Sequence, residues 1–177
     1  MRLVEPTPYM LEQAALHFLE QVEATESGLL PAGASEIQHT YRGEEGCGVF
    51  FYPDRKFATG TREQACVARF IPIVNRSTHP ADSFEFDYDA MERAIRWEYT
   101  GAPSGFVQVV HSHLDDSAPS PEDFAMVDAL ADGMDSHPIW HPTDVHKLFC
   151  IPSKRWIDFS STVAEDTFSA STNQGRL

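Results

Sequence analysis

Met10, Leu11, Ala14, Ala15, Phe18, Leu19 and Val22 recur at three- and four-residue steps, opposite Glu12, Gln13, Glu20 and Glu23. A stripe of that period predicts an amphipathic helix from Pro8 to about Ala24. Residues 27–35, rich in Gly, Pro and Ala, read as a loop. The composition then changes. Gly48-Val-Phe-Phe-Tyr52 and Val67-Ala-Arg-Phe-Ile-Pro-Ile-Val74 are β-branched and aromatic and predict strands. Between them, Pro53 to Gln64 carries Asp54, Arg55, Lys56 and Gly60, which suits a surface hairpin or insertion.

Phe84-Glu-Phe-Asp-Tyr88 alternates apolar and polar and predicts a short strand, whereas Asp89 to Tyr99 sets Ala90, Met91, Ala94, Ile95 and Trp97 on helical spacing. Gly101-Ala-Pro-Ser-Gly105 breaks that helix. Phe106-Val-Gln-Val-Val110 is the strongest strand pattern in the chain, expected to be central, and it runs straight into His111. Ser120-Pro-Glu-Asp123 has the order of a helix start: a capping serine, proline at the first helical position and an acid three residues after the cap. The helix should reach about Ala131. Ile139-Trp140 and Val145 to Ile151 predict two further strands, and a Ser/Thr-rich tail follows from about Ser160. The expected organisation is a single domain over residues 1–160, with an N-terminal helix, and a flexible tail over 161–177.

A length of 177 residues and 42% hydrophobic content fit one globular domain with a sizeable core. Thirteen Lys and Arg against 27 Asp and Glu leave a net charge of −14, which repels a phosphate backbone or an anionic membrane surface. Nucleic acid and membrane are therefore not expected partners. The N-terminal residues lack the apolar stretch of a signal peptide, and no window approaches the roughly 18 apolar residues of a membrane span. Cys47, Cys66 and Cys150 are odd in number and widely spaced, so neither a disulfide scaffold nor a thiolate zinc site is expected. A cytoplasmic, reducing location fits best.

Chemistry concentrates in Val109 to Asp123. His111 and His113 stand two apart at a strand end, so their imidazoles point to one side and can share an ion. Asp123 supplies a third candidate ligand if the loop from Leu114 to Pro119 doubles back. Two histidines, one carboxylate and a water would make an open, three-ligand zinc site, the form expected of a catalytic ion. A random His-x-His is more often coincidental, and Ser120 to Asp123 alone also reads as an ordinary capping box.

His111-Ser-His113, six residues, then Ser120-x-x-Asp123 resembles the H-[S/T]-H-x7-S-x-x-D signature of the JAMM metallopeptidases, also called JAB or catalytic MPN domains. Glu45-Gly-Cys47-Gly48-Val-Phe-Phe is similar to that family's E-x-C-G element, whose glutamate is the general base. Ile71-Pro-Ile-Val-Asn75 and Phe84-Glu-Phe-Asp87 sit like elements common in bacterial and phage members, so the resemblance covers Gly43 to about Ala131. Here the loop is one residue short of the usual seven, and Leu114 replaces a common proline. The resemblance implies an α/β (α+β) fold, a mixed β-sheet flanked by helices of the MPN/JAB, cytidine-deaminase-like type. It implies one Zn2+ per chain held by His111, His113 and Asp123, with Glu45 as catalytic base and Ser120 orienting the oxyanion or the water. Glu44 would be an inert neighbour. Family substrates include amide and isopeptide bonds to ubiquitin or ubiquitin-like proteins, so the expected activity is a zinc metallopeptidase or isopeptidase acting on a protein or peptide.

The competing reading is a phage tail-tip or assembly component that keeps the domain for docking to tail or other assembly partners, which would place it in the virion. A metal-free scaffold is a third, disfavoured by the complete ligand set. Asp115, Asp116 and Glu122 are alternative ligands that lack the helix-start context. His137, His141 and His146 suggest a second cluster, but Pro138 and Pro142 forbid the helix that would align the first two; a substrate-groove role suits His141 or His146 better. Cys47 and Cys150 read as packing residues, and Trp97, Trp140 and Trp156 as core or rim aromatics.

Overall fold

The computed structural model describes residues 5–26, 43–54, 67–86, 88–99, 104–135, 137, 139–143 and 145–159. All of the expected 27–35 loop, most of the 53–64 connection, all of the 161–177 tail, Cys66 and Asp87 lie outside these residues. Among the described residues three helices and six strands make an α+β fold with a mixed sheet. No helix among them is long and apolar enough to cross a membrane.

Helix α1 spans Pro8–Glu26. Thr7 caps it, its hydroxyl accepting from the Met10 N–H at 3.3 Å, and Pro8 occupies the first helical position. Met10, Ala14 and Phe18, one turn apart, are the fully buried face. Strand β1 (Cys47–Pro53) pairs antiparallel with β2 (Arg69–Ile73) and with β3 (Gly105–His113). β3 is central, as its composition suggested. Two short strands, β4 (Trp140–Pro142) and β5 (His146–Cys150), run parallel to it, β4 beside Gly105–Val107 and β5 beside Val110–His113. Strand β6 (Arg155–Phe159) closes the far edge against β5. The order β2-β1-β3-β5-β6 leaves β2 at the other edge, where Pro72 costs no ladder bond.

Alternation along the strands divides the core in two. Cys47, Val49 and Phe51 of β1, with Val107 and Val109 of β3, face helices α2 (Tyr88–Glu98) and α3 (Pro121–Asp135). Phe50, Tyr52 and Val110 face α1. Gly48 has no room for a side chain: a Cβ would stand 2.7 Å from the Ile71 carbonyl oxygen and 2.5 Å from the Phe70 ring. The glycine of the E-x-C-G element therefore lets β2 and Phe70 close on β1.

Three expectations are corrected. Residues 84–86 are not a strand: Phe84 and Phe86 are buried and Glu85 exposed, but no strand among the described residues pairs with them. The Glu85 N–H donates to the Asn75 side chain and its carbonyl accepts from the Arg76 N–H, and Tyr88 already opens α2. Trp97 is 85% exposed, because it sits about 200° round the helix from buried Ile95. Strand β6 was not expected at all. It follows a turn with Lys154 at φ 51 and pairs Lys147 with Asp158 and Phe149 with Trp156 across the hairpin.

Candidate metal centre

The alternation that points Val107 and Val109 toward α2 and α3 carries on to His111 and His113 at the end of β3. α3 approaches the same point with its first turn. Its capping box is complete: the Asp123 N–H donates to Ser120 Oγ at 3.1 Å and the Ser120 N–H to Asp123 Oδ2 at 2.7 Å. That reciprocal pair fixes the Asp123 carboxylate, with Oδ2 3.2 Å from His113 Nε2 and Oδ1 3.4 Å from His111 Nε2. The two imidazole Nε2 atoms are 3.3 Å apart. The loop of residues 114–119, short as it is, does double back.

His111, His113 and Asp123 are buried, and their ligand atoms all lie within 4.8 Å of one another. Among the described residues no other group of His, Cys, Asp and Glu converges in this way. Two ring nitrogens and two carboxylate oxygens aimed at one point cannot all be satisfied by one proton, whereas a divalent cation can engage them together. The donor set fits a metal ion.

Glu45 arrives from the other side of β3. The β1–β3 register pairs Cys47 with His111, which carries Glu45 to the level of His113, and its Oε1 lies 3.8 Å from His113 Nε2. The backbone there is pinned on three sides. The Glu45 N–H donates to the Pro80 carbonyl at 2.6 Å, Asn75 Nδ2 donates to the Glu45 carbonyl at 2.8 Å, and the Ser112 N–H donates to the Gly46 carbonyl at 2.9 Å. Gly43, at φ +142, meets Leu114: a Cβ on it would stand 3.2 Å from that side chain. Leu114 thus packs against the segment that leads to Glu45. Glu45 is 5% exposed and Glu44 only half-buried, so Glu45 is the member of the pair that faces the centre.

The electrostatics separate the acids. Burial pushes the Glu45 pKa up to about 8; nearby His113 opposes this, and Asp123, Asp82 and Asp115 add to it. Burial also works against the Asp123 carboxylate, but hydrogen bonds from His111, His113 and the Ser120 N–H outweigh it and hold the group well below the usual carboxylate range. Burial keeps His111 below the ordinary histidine value. For His113 burial acts the same way, yet the hydrogen bond to Asp123 and the charges of Glu45, Asp123 and Asp115 hold it above that value. The site therefore offers one ionised carboxylate as a ligand and one protonated carboxyl beside it.

Other candidates fall elsewhere. Ser120 is half-buried and its hydroxyl accepts from the Asp123 N–H, so its demonstrable work is to hold that ligand. Asp115, Asp116 and Glu122 are exposed and outside the ligand group. His137 stacks on Trp140 with centroids 4.5 Å apart and accepts backbone N–H bonds, while His141 lies tilted beside Phe106 with centroids 6.0 Å apart. His146 is buried beside Phe159. Burial raises the Cys47 thiol to about 12 and also raises Cys150, as packing residues require.

Sequence reading missed Asn75 as a fastener, which bonds the Glu45 and Ser83 carbonyls and the N–H groups of Ser77 and Glu85. It also missed Ser117, which touches His113. The Asp115-x-Ser117 spacing of a side-chain-capped turn was the available signal for the second. Comparison of the chain with protein-family models, with curated proteins and with solved structures gave no match.

Proposed function

We propose that the chain is a zinc-dependent peptidase or isopeptidase of the JAMM type, with an MPN-like fold, acting on an amide bond of a protein substrate such as a ubiquitin-like conjugate. The observation that carries this reading is the meeting of His111, His113 and Asp123 with a buried carboxyl group, Glu45, 3.8 Å from His113 Nε2. Bound there, a zinc ion supplies Lewis-acid polarisation and acidifies water.

The chain's own residues do the rest. His111, His113 and Asp123 hold the ion, and Asp123 offsets part of its charge. Glu45 takes a proton from the attacking water and returns it to the leaving nitrogen, a role open to a buried carboxylate 3.8 Å from His113 Nε2 that the charge of a bound ion would keep ionised. Phe84, stacked on His111 with centroids 4.2 Å apart, excludes bulk water from that side and keeps the ring in plane. Ser120 keeps Asp123 aimed through the cap, and its hydroxyl proton remains a donor for developing negative charge.

The test is metal analysis followed by hydrolysis of isopeptide-linked and linear ubiquitin-like substrates. Wild-type protein is expected to carry one zinc per chain. Glu45→Gln should keep the metal and lose about 10²–10⁴-fold in rate; His113→Ala should lose both. A chelator-free preparation without zinc at neutral pH would overturn the proposal.

A further inference from the structure

We propose that Ser117 and Asp115 are positioning residues that lock the tautomer of His113 and so set the metal affinity of the site; the inference rests on the metal-centre reading above. Ser117 Oγ lies 2.9 Å from His113 Nδ1. The same oxygen donates its proton to Asp115 Oδ1 at 2.5 Å, and the Ser117 N–H donates to that Oδ1 at 2.9 Å. A serine hydroxyl has one proton. With it committed to Asp115, Oγ can only accept from His113, so Nδ1 must carry the single hydrogen of the neutral ring, and the Nε2 lone pair is left, once the ring is neutral, for the point where His111 and Asp123 converge. This is the orientation a metal ligand needs.

The clamp is itself anchored. The Cys150 thiol lies 3.9 Å from the Ser117 carbonyl, and the Ile151 N–H donates to the His113 carbonyl at 2.9 Å. Both ends of the turn are thus held against β5 and the residue that follows it. His111 is fixed by other means, stacked on Phe84 and edge-on to Phe159. Removing the clamp should therefore act on one ligand. Without the Ser117 oxygen, His113 can place its proton on Nε2, facing Asp123, and that proton must be displaced before a metal binds.

The experiment is titration with zinc against a competing chelator, together with nitrogen-15 NMR of the histidine rings in the zinc-loaded protein. Ser117→Ala should bind zinc about 10–100-fold more weakly and lose the exchange-protected His113 Nδ1–H signal. Ser117→Thr, which keeps the hydroxyl at an exposed position, should restore both. Asp115→Ala should weaken binding as well, since the hydroxyl is then free to donate to Nδ1. A purely structural role would lower the melting temperature of the metal-free Ser117→Ala protein and leave the ring signal in place; that result overturns the clamp. Zinc affinity of Ser117→Ala within about threefold of wild type overturns it too, being short of the loss expected for an outer-shell partner, while leaving the metal centre standing. Failure of the wild type to bind zinc overturns both.

Discussion

Glu45 gives the sharpest test of the centre, because its environment fixes a proton count. A carboxyl group with a pKa of about 8 is about 99% protonated at pH 6. The charges that act on it are those of His113, Asp123, Asp82 and Asp115. A divalent ion bound there would add two charges and displace the second proton, on Nε2, that His113 carries at pH 6 because its pKa is held above the ordinary value, a net gain of one. One unit charge at 4 Å, under an effective dielectric constant of about 20, is worth about 4 kcal/mol. That is a factor of about 1,000 in the acid dissociation constant, enough to leave Glu45 about 90% ionised at pH 6. Zinc binding at pH 6 should therefore expel about 0.9 of a proton from Glu45, besides what His113 gives up. Calorimetric titration in buffers of different ionisation enthalpy counts those protons directly. Glu45→Gln should release about 0.9 fewer than wild type at the same pH, with zinc still bound at one per chain. Equal proton release from the two proteins would refute the reasoning, since Glu45 would then be ionised before the ion arrives and would not face it in a desolvated pocket.

Three other outcomes follow from the same geometry. In the metal-free protein the raised Glu45 pKa stabilises the fold below the ordinary carboxylate range, and that contribution is lost as pH rises through about 8; Glu45→Gln should melt higher than wild type at pH 9 and no lower at pH 5, by scanning calorimetry. His146, buried with no hydrogen bond to Nδ1 among the described residues, has its pKa pushed down to about 4, chiefly by burial. Its contribution is present above pH 6.5 and lost as pH falls toward 4, so His146→Leu should flatten the melting curve across that range and gain about 1 kcal/mol, or about 2–4 °C, at pH 5. Met10, fully buried under α1 on the sheet face opposite the histidines, should cost about 2–5 kcal/mol when changed to Ala, with zinc stoichiometry by metal analysis unchanged.

Much of this was legible because the governing rules are local. Period-two alternation placed His111 and His113 on one face, and the three- and four-residue stripe of α1 buried Met10, Ala14 and Phe18. What failed was pairing, which no single segment encodes. The alternation of Phe84, Glu85 and Phe86 is real, but its backbone bonds go to Asn75 and Arg76 rather than to a strand. The run Arg155 to Phe159 was given no element, yet it pairs with β5 as a strand, where Lys147, 6% exposed, meets Asp158 across the hairpin. Trp97 shows the opposite limit: helical spacing allots a residue to a face only if the phase is tracked, and an aromatic at the wrong phase is left in solvent.

A helix cap and a ligand mount seemed competing readings of Ser120 to Asp123, and the geometry makes them one device. A carboxylate at the third helical position is drawn to the N–H of the capping residue, which fixes its rotamer and aligns its charge with the positive end of the helix. Asp123 Oδ2 spends its 2.7 Å bond on the Ser120 N–H and still reaches His113 at 3.2 Å, while Oδ1 reaches His111 at 3.4 Å. The cost of ordering this ligand is thus met when α3 folds, before any cation is present. Glu45 follows the same logic, since the ladder that continues past Cys47 through Gly46 and Ser112 sets its level against His113. A candidate ion site built from caps and register should be rigid, and, if it holds a metal as proposed, mutations that loosen the cap should weaken binding without touching His111, His113 or Asp123. Ser120→Ala tests that consequence: zinc affinity should fall although all three ligands remain, and an unchanged affinity would mean that Asp123 is aimed by packing rather than by its cap.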